Sequence, residues 1–229
     1  MLSRLTFAAL VLAVSVSGAS GLAALIGDAF VTLPPPAGFC ELTPRYEFDG
    51  RTVAVASAYL RGAGIRLLAM SADCDQLAEA REGRRRQVDD VAQYQVEIAD
   101  MKSPPVFSIE RMCSILRVQS NSPIGADIDA RLASTIEKIK VNEAGSIGVI
   151  AEDKNACYTA TLQKVWTETG TEKMLVGLHA ATVISNRAIG VRRYAVYQNP
   201  DTINAMLPKL RGDVAAPGRG KPLSCCWTA

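Results

Sequence analysis

The chain has 229 residues, of which 48% are hydrophobic and 21% charged, proportions that exclude a disordered protein and suffice for one domain with a proper core. A formal net charge of +2 provides no whole-molecule field for a polyanion, so nucleic acid is not an expected partner. Six tyrosines, five phenylalanines and two tryptophans are scattered, without the alternation of aromatic and basic residues that a single-strand platform needs.

The chain opens with one positive charge at Arg4, followed by the continuous apolar run LTFAALVLAVSV from Leu5 to Val16. This pattern predicts a secretory signal over residues 1–24. The small residues Ser17 and Ala19 favour cleavage after Ala19, with cleavage after Ala23 or Ala24 as the second choice. The 22 uncharged residues from Leu5 to Ile26 are also long enough to span a hydrocarbon core of roughly 30 Å as a retained inner-membrane anchor. Either route exports the domain, to the periplasm or beyond; after cleavage no membrane span is expected. The first cysteine is Cys40, too late for lipid attachment next to the signal core.

A single α+β domain is expected over residues 30–215, an antiparallel sheet covered by helices. Phe30–Leu33 reads as a short strand ended by Pro34, Pro35 and Pro36, after which Gly38 turns the chain. From Asp49, DGRTVAVASAYLRGAG fits either a helix capped by Asp49 and closed at Gly62 or a hairpin arm. Val53, Ser57 and Leu60 share a helical face and decide for helix. Ile65–Asp73 is a buried strand, Asp75 caps a helix running through the arginine-rich REGRRR, and Gln93–Ile98 returns to period two. Ser108 and Asp127 each cap an amphipathic helix, with stripes Ile109, Met112, Cys113, Leu116 and Ile128, Leu132, Ile136, Ile139.

After Gly145 four strands follow in sequence as a meander: SIGVIAED, ACYTATLQKVW, KMLVGLHAATVI and RAIGVRRYAVYQN. Asn199 and Pro200 then open a last helix, which Pro208 is expected to kink or shorten. Residues 216–229 read as an unpacked tail.

Export places the cysteines in an oxidising compartment, where disulfides are the first expectation for Cys40, Cys74, Cys113 and Cys157. Buried thiols are the second. Pairing of neighbours, Cys40 with Cys74 and Cys113 with Cys157, closes the shorter loops. Their wide spacing is unlike that of a metal site, and no motif implies a cofactor. The vicinal Cys225 and Cys226 have no assigned role.

The opening FVTLPPPAGF, the late antiparallel strands and the closing AIGVRRYAVYQNPDTINAMLPKL resemble exported bacterial envelope proteins of uncharacterised activity. More distantly, the order of elements resembles the PsbP-like α/β/α sandwich, whose members are mostly binding or assembly factors. The resemblance implies a binding role and carries no catalytic residue onto this chain.

His179 is the one histidine, so any Ser-His-Asp or Cys-His mechanism has to run through it. Neither GxSxG nor HExxH occurs. Carboxylate chemistry has three candidate pairs: Asp73 with Asp75, Asp89 with Asp90, and Glu152 with Asp153. AAPGRGKPL at Ala215–Leu223 imitates a phosphate loop but has Pro222 where a magnesium-binding hydroxyl belongs. Two surfaces are candidate binding sites. Arg84, Arg85 and Arg86, with Arg81, form a basic cluster suited to an acidic envelope protein or an anionic surface. Arg192, Arg193 and Tyr194 combine charge with aromatic area. The expected function is binding or assembly outside the cytoplasm, with no oligomeric state implied. An envelope enzyme or an anchored accessory protein is the alternative.

Overall fold

The computed structural model describes residues 22–101, 108–120, 127–140, 143–166 and 170–216. In chain order these form β1 (Leu22–Ile26), β2 (Ala29–Leu33), β3 (Phe39–Glu41), α1 (Glu47–Gly62), β4 (Ile65–Asp73), α2 (Cys74–Arg81), β5 (Val91–Glu97), a 3-10 turn (Ala99–Met101), α3 (Ile109–Gln119), α4 (Ile128–Lys138), β6 (Ala144–Glu152), β7 (Ala156–Trp166), β8 (Glu172–Ile184), β9 (Arg187–Val196) and α5 (Pro200–Ala215). The fold is α+β, as expected. Seven antiparallel strands lie in the order β3-β4-β5-β9-β8-β7-β6, and β1 pairs with β2 as a separate hairpin.

The alternation of each long strand divides its side chains between two layers. On one face Val176, Leu178 and Ala180 of β8, Ile189 and Val191 of β9, and Tyr94 and Val96 of β5 join a single core with Ile203, Met206 and Leu210 of α5 and Leu132 of α4. The hairpin adds Ile26, Val31 and Leu33 to the same core. On the other face α1 and α2 cover β4 through Phe48, Val53, Ala56 and Leu77, and α3 packs Cys113 against Val149 and Cys157. The middle of that second face lies between the two helical flanks.

Local hydrogen bonding explains several boundaries. The Ser108 hydroxyl accepts from the Arg111 N–H, Asp127 accepts from the Asp129 N–H, and Asn199 with Thr202 forms a reciprocal box at the start of α5. Ser185 and Asn186, both with positive φ, make the tight turn from β8 to β9. The pairs Cys40–Cys74 and Cys113–Cys157 are both bridged, with Cα separations of 4.9 and 5.3 Å.

Three local expectations are corrected. Asp49 does not cap α1, which starts two residues earlier. It is fully buried, accepts from the Thr43 N–H at 2.8 Å and meets Arg81 at 2.7 Å. Asp73, not Asp75, caps α2 by accepting from the Gln76 N–H, and α2 ends at Arg81, so the rest of REGRRR lies in a loop. Pro208 does not shorten α5, which runs on to Ala215 with Met206, Leu210 and Val214 buried on both sides of it. Pro208 and Asn204, whose carbonyl loses its partner, both face solvent. Among the described residues, Ala24 and Ile26 of β1, upstream of Phe30, are also buried in the core.

The meander leaves β6 at the sheet edge, and α4 closes it. Arg131 donates from Nη1 to the Ile147 carbonyl at 2.5 Å and from Nη2 to the Val149 carbonyl at 3.0 Å. The opposite edge, β3, has only three residues, too short a template for another strand.

Candidate functional site

Register places one row of polar side chains across the open middle of the sheet. Arg192 of β9 pairs with Gln93 of β5 on one side and His179 of β8 on the other, and His179 pairs with Thr159 of β7. Directly paired residues in an antiparallel sheet point to the same face. The neighbouring row carries Val91, Tyr194, Gly177 and Thr161, and the next carries Gln95, Gly190, Ala181 and Cys157.

Two glycines make this floor sterically feasible. A Cβ on Gly190 would come within 2.6 Å of His179 Nε2, and one on Gly177 within 2.9 Å of Tyr194 Cε1. The imidazole and the phenol thus lean over bare backbone on the adjacent strand.

Between this floor and α3 is a cleft of about 310 Å³, at the lower end of the usual ligand-site range. Met112, Ile115 and Leu116 form its helical wall, Gln95, His179 and Arg192 lie in its floor, and Glu97 and Asp100 stand at one end. Arg192 Nη1 donates to the Tyr194 hydroxyl at 3.3 Å, and its Nε is buried with no acceptor. Arg192 has no carboxylate partner among the described residues, whereas Arg81, Arg187 and Arg193 each meet an aspartate. Gln95 donates its amide to Gln93 Oε1 at 2.6 Å, and Gln93 reaches the Met70 sulfur at 3.9 Å.

Burial, and secondarily the Arg192 cation, push the His179 imidazole down to about 3, so it is neutral at ordinary pH and a weak base. Stability should depend on pH accordingly. The unfolded histidine takes up a proton near pH 6.5 while the folded one does not until about pH 3. The folded state is therefore favoured fully above pH 6.5 and loses that advantage progressively as pH falls towards 3. Between pH 7 and pH 4.5 the wild type should lose about 2 kcal/mol more than His179→Gln. Urea unfolding of both proteins at the two pH values measures this, and equal losses would contradict the assignment.

The other candidates lie elsewhere. Arg193 alternates to the opposite face, where it is buried in a two-bond ion pair with Asp213 of α5 and stacks on the Phe39 ring at 4.6 Å. Its side chain therefore lies across the sheet from that of Arg192. Arg84 meets Glu82 and Glu79, and Arg85 meets Glu79 and Asp89, so acidic neighbours already face both guanidiniums. Arg85 and Arg86 border a wider groove beside α1, where Val55 and Tyr59 are exposed.

Most of the carboxylates proposed for catalysis have structural partners. Asp73 caps α2, Asp89 pairs with Lys173 at 2.5 Å, Asp90 accepts from Gln76, and Glu152 meets Arg117 at 2.6 Å. Asp153 holds the β6–β7 turn through the Asn155 and Ala156 N–H groups and the Tyr158 hydroxyl. Asp75 is exposed. Cys225, Cys226 and nearly all of the expected tail lie outside the described residues.

Sequence reasoning missed Gln93, Gln95, Thr159 and the two glycines. Period two within RAIGVRRYAVYQN separates Arg192 from Arg193, but nothing local says that β5 will lie beside β9. Among the described residues no group of His, Cys, Asp or Glu side chains could hold a metal ion, and no helix is long and apolar enough to cross a membrane. No family model, curated protein or solved structure matches the chain.

Proposed function

We propose that this chain is an exported binding protein without catalytic activity of its own, and that its ligand site is the cleft between α3 and the polar row of the sheet. The observation that carries the reading is Arg192: a cation in the cleft floor whose Nε has no acceptor and which meets no carboxylate among the described residues. A half-buried guanidinium with one buried N–H left unmet and no ion-pair partner is suited to an acceptor that arrives from outside. Export is supported by the apolar leader and by two disulfides, which persist in oxidising compartments. Binding is favoured over catalysis because His179, the sole histidine, is a weak base where it stands, and the paired carboxylates serve caps, turns and ion pairs.

The neutral fluorophore N-phenyl-1-naphthylamine tests the site. It should bind the wild type saturably. Ile115→Trp, which fills the cleft from its partly exposed helical wall, should abolish binding without lowering the unfolding midpoint. Charge reversal of Arg84, Arg85 and Arg86 together should leave it unchanged. Loss of binding on charge reversal, with Ile115→Trp silent, would move the site to the arginine loop.

A further inference from the structure

We propose that the cleft takes the carboxylate of a singly charged ligand with an apolar body, and that Arg192 is the residue that receives it. This rests on the cleft being the binding site, as argued above.

The unmet donor of the floor belongs to Arg192, whose Nη1 is given to the Tyr194 hydroxyl and whose Nε is buried with no acceptor. A carboxylate supplies both what the guanidinium lacks, a counter-charge and acceptor oxygens in its own plane. A neutral carbonyl or hydroxyl supplies only the second.

The rest of the cleft narrows the ligand. Met112, Ile115 and Leu116 on α3 and Ile65 on β4 line it with hydrocarbon, which disfavours sugars and polyphosphates. At the far end stand Glu97 and Asp100. Glu97 follows Gln93, the residue opposite Arg192, by four positions, roughly 13 Å along the strand. A second anionic group at that distance would meet like charge, so a ligand with one carboxylate and an uncharged tail fits better than a long dicarboxylate.

Displacement of N-phenyl-1-naphthylamine from the full chain by decanoate, decanol and decanedioate at pH 7.5 tests the head group without any substitution. Decanoate should displace at about tenfold lower concentration than either of the others. In Arg192→Gln the advantage of decanoate over decanol should vanish, and Arg192→Lys should restore part of it; matched thermal unfolding confirms that each variant is folded. If decanol displaces as well as decanoate from the wild type, the carboxylate assignment fails while the cleft stands. If decanedioate equals decanoate, the role given to Glu97 and Asp100 fails, and with it the singly charged ligand. If the fluorophore does not bind, or binds Ile115→Trp as well as wild type, the cleft reading fails and takes this inference with it.

Discussion

Replacing Cys113 and Cys157 together by alanine should lower the unfolding free energy by about 4 kcal/mol, as expected for releasing a loop between cysteines 44 residues apart. The bridge matters beyond its loop. It ties α3 to β7 at the centre of a small cluster with Val149, Ile109 and Leu116, and α3 is the helical wall of the cleft. Urea unfolding should therefore show the stability loss, and binding of N-phenyl-1-naphthylamine should fall in the same variant. The Cys40–Cys74 bridge closes a span of 34 residues and should be worth about as much. It joins β3 to the start of α2, however, and its removal should leave the cleft's affinity alone. A loss under about 1 kcal/mol for the Cys113–Cys157 variant would contradict the chain-constraint account.

Asp213→Ala should cost about 4 kcal/mol, because it leaves Arg193 charged and buried without its partner. Burial pushes the Asp213 carboxyl above its ordinary value in spite of Arg193, which lowers it, so the pair is held at the expense of solvation. The double replacement Arg193→Met with Asp213→Leu should therefore recover most of the loss, since two apolar side chains of similar bulk remove both desolvated charges. Chemical unfolding of the single and double variants gives the comparison. A double variant no more stable than Asp213→Ala would mean that the pair contributes net stability.

Much of the local structure could be read from the residues because local interactions decide it. Ser108, Asp127 and Asn199 cap the helices they precede by accepting from backbone N–H groups two or three positions ahead. The four late strands are sequential neighbours, so a meander needs no long-range information. Asp49 shows where that logic stops. An aspartate near a helix start reads as a cap, but Arg81, brought alongside by the packing of α1 and α2 on β4, offers a buried ion pair instead.

The candidate site was legible only in part. Arg192, Tyr194 and His179 stood out in sequence as a charge, an aromatic and the sole histidine. Their assembly into one floor depends on β5 joining β9, an adjacency between distant segments that period and propensity do not encode. The arginine loop looked stronger than it is because Glu79, Glu82 and Asp89, which face Arg84 and Arg85, are brought to them by the turn after α2.

The hairpin sets a condition on how any leader is removed. A peptidase cutting after Ala24 would take away the first three residues of β1 and, with them, the partners of Leu33, Thr32 and Val31. Val31 and Leu33 would remain in the interior with their own backbone groups unpaired along that edge. A cut after Ala19 spares the strand entirely, so proofreading of the processing site would be built into the folding of the product: one scissile bond yields a complete first strand, and the other yields a chain already missing part of its own interior.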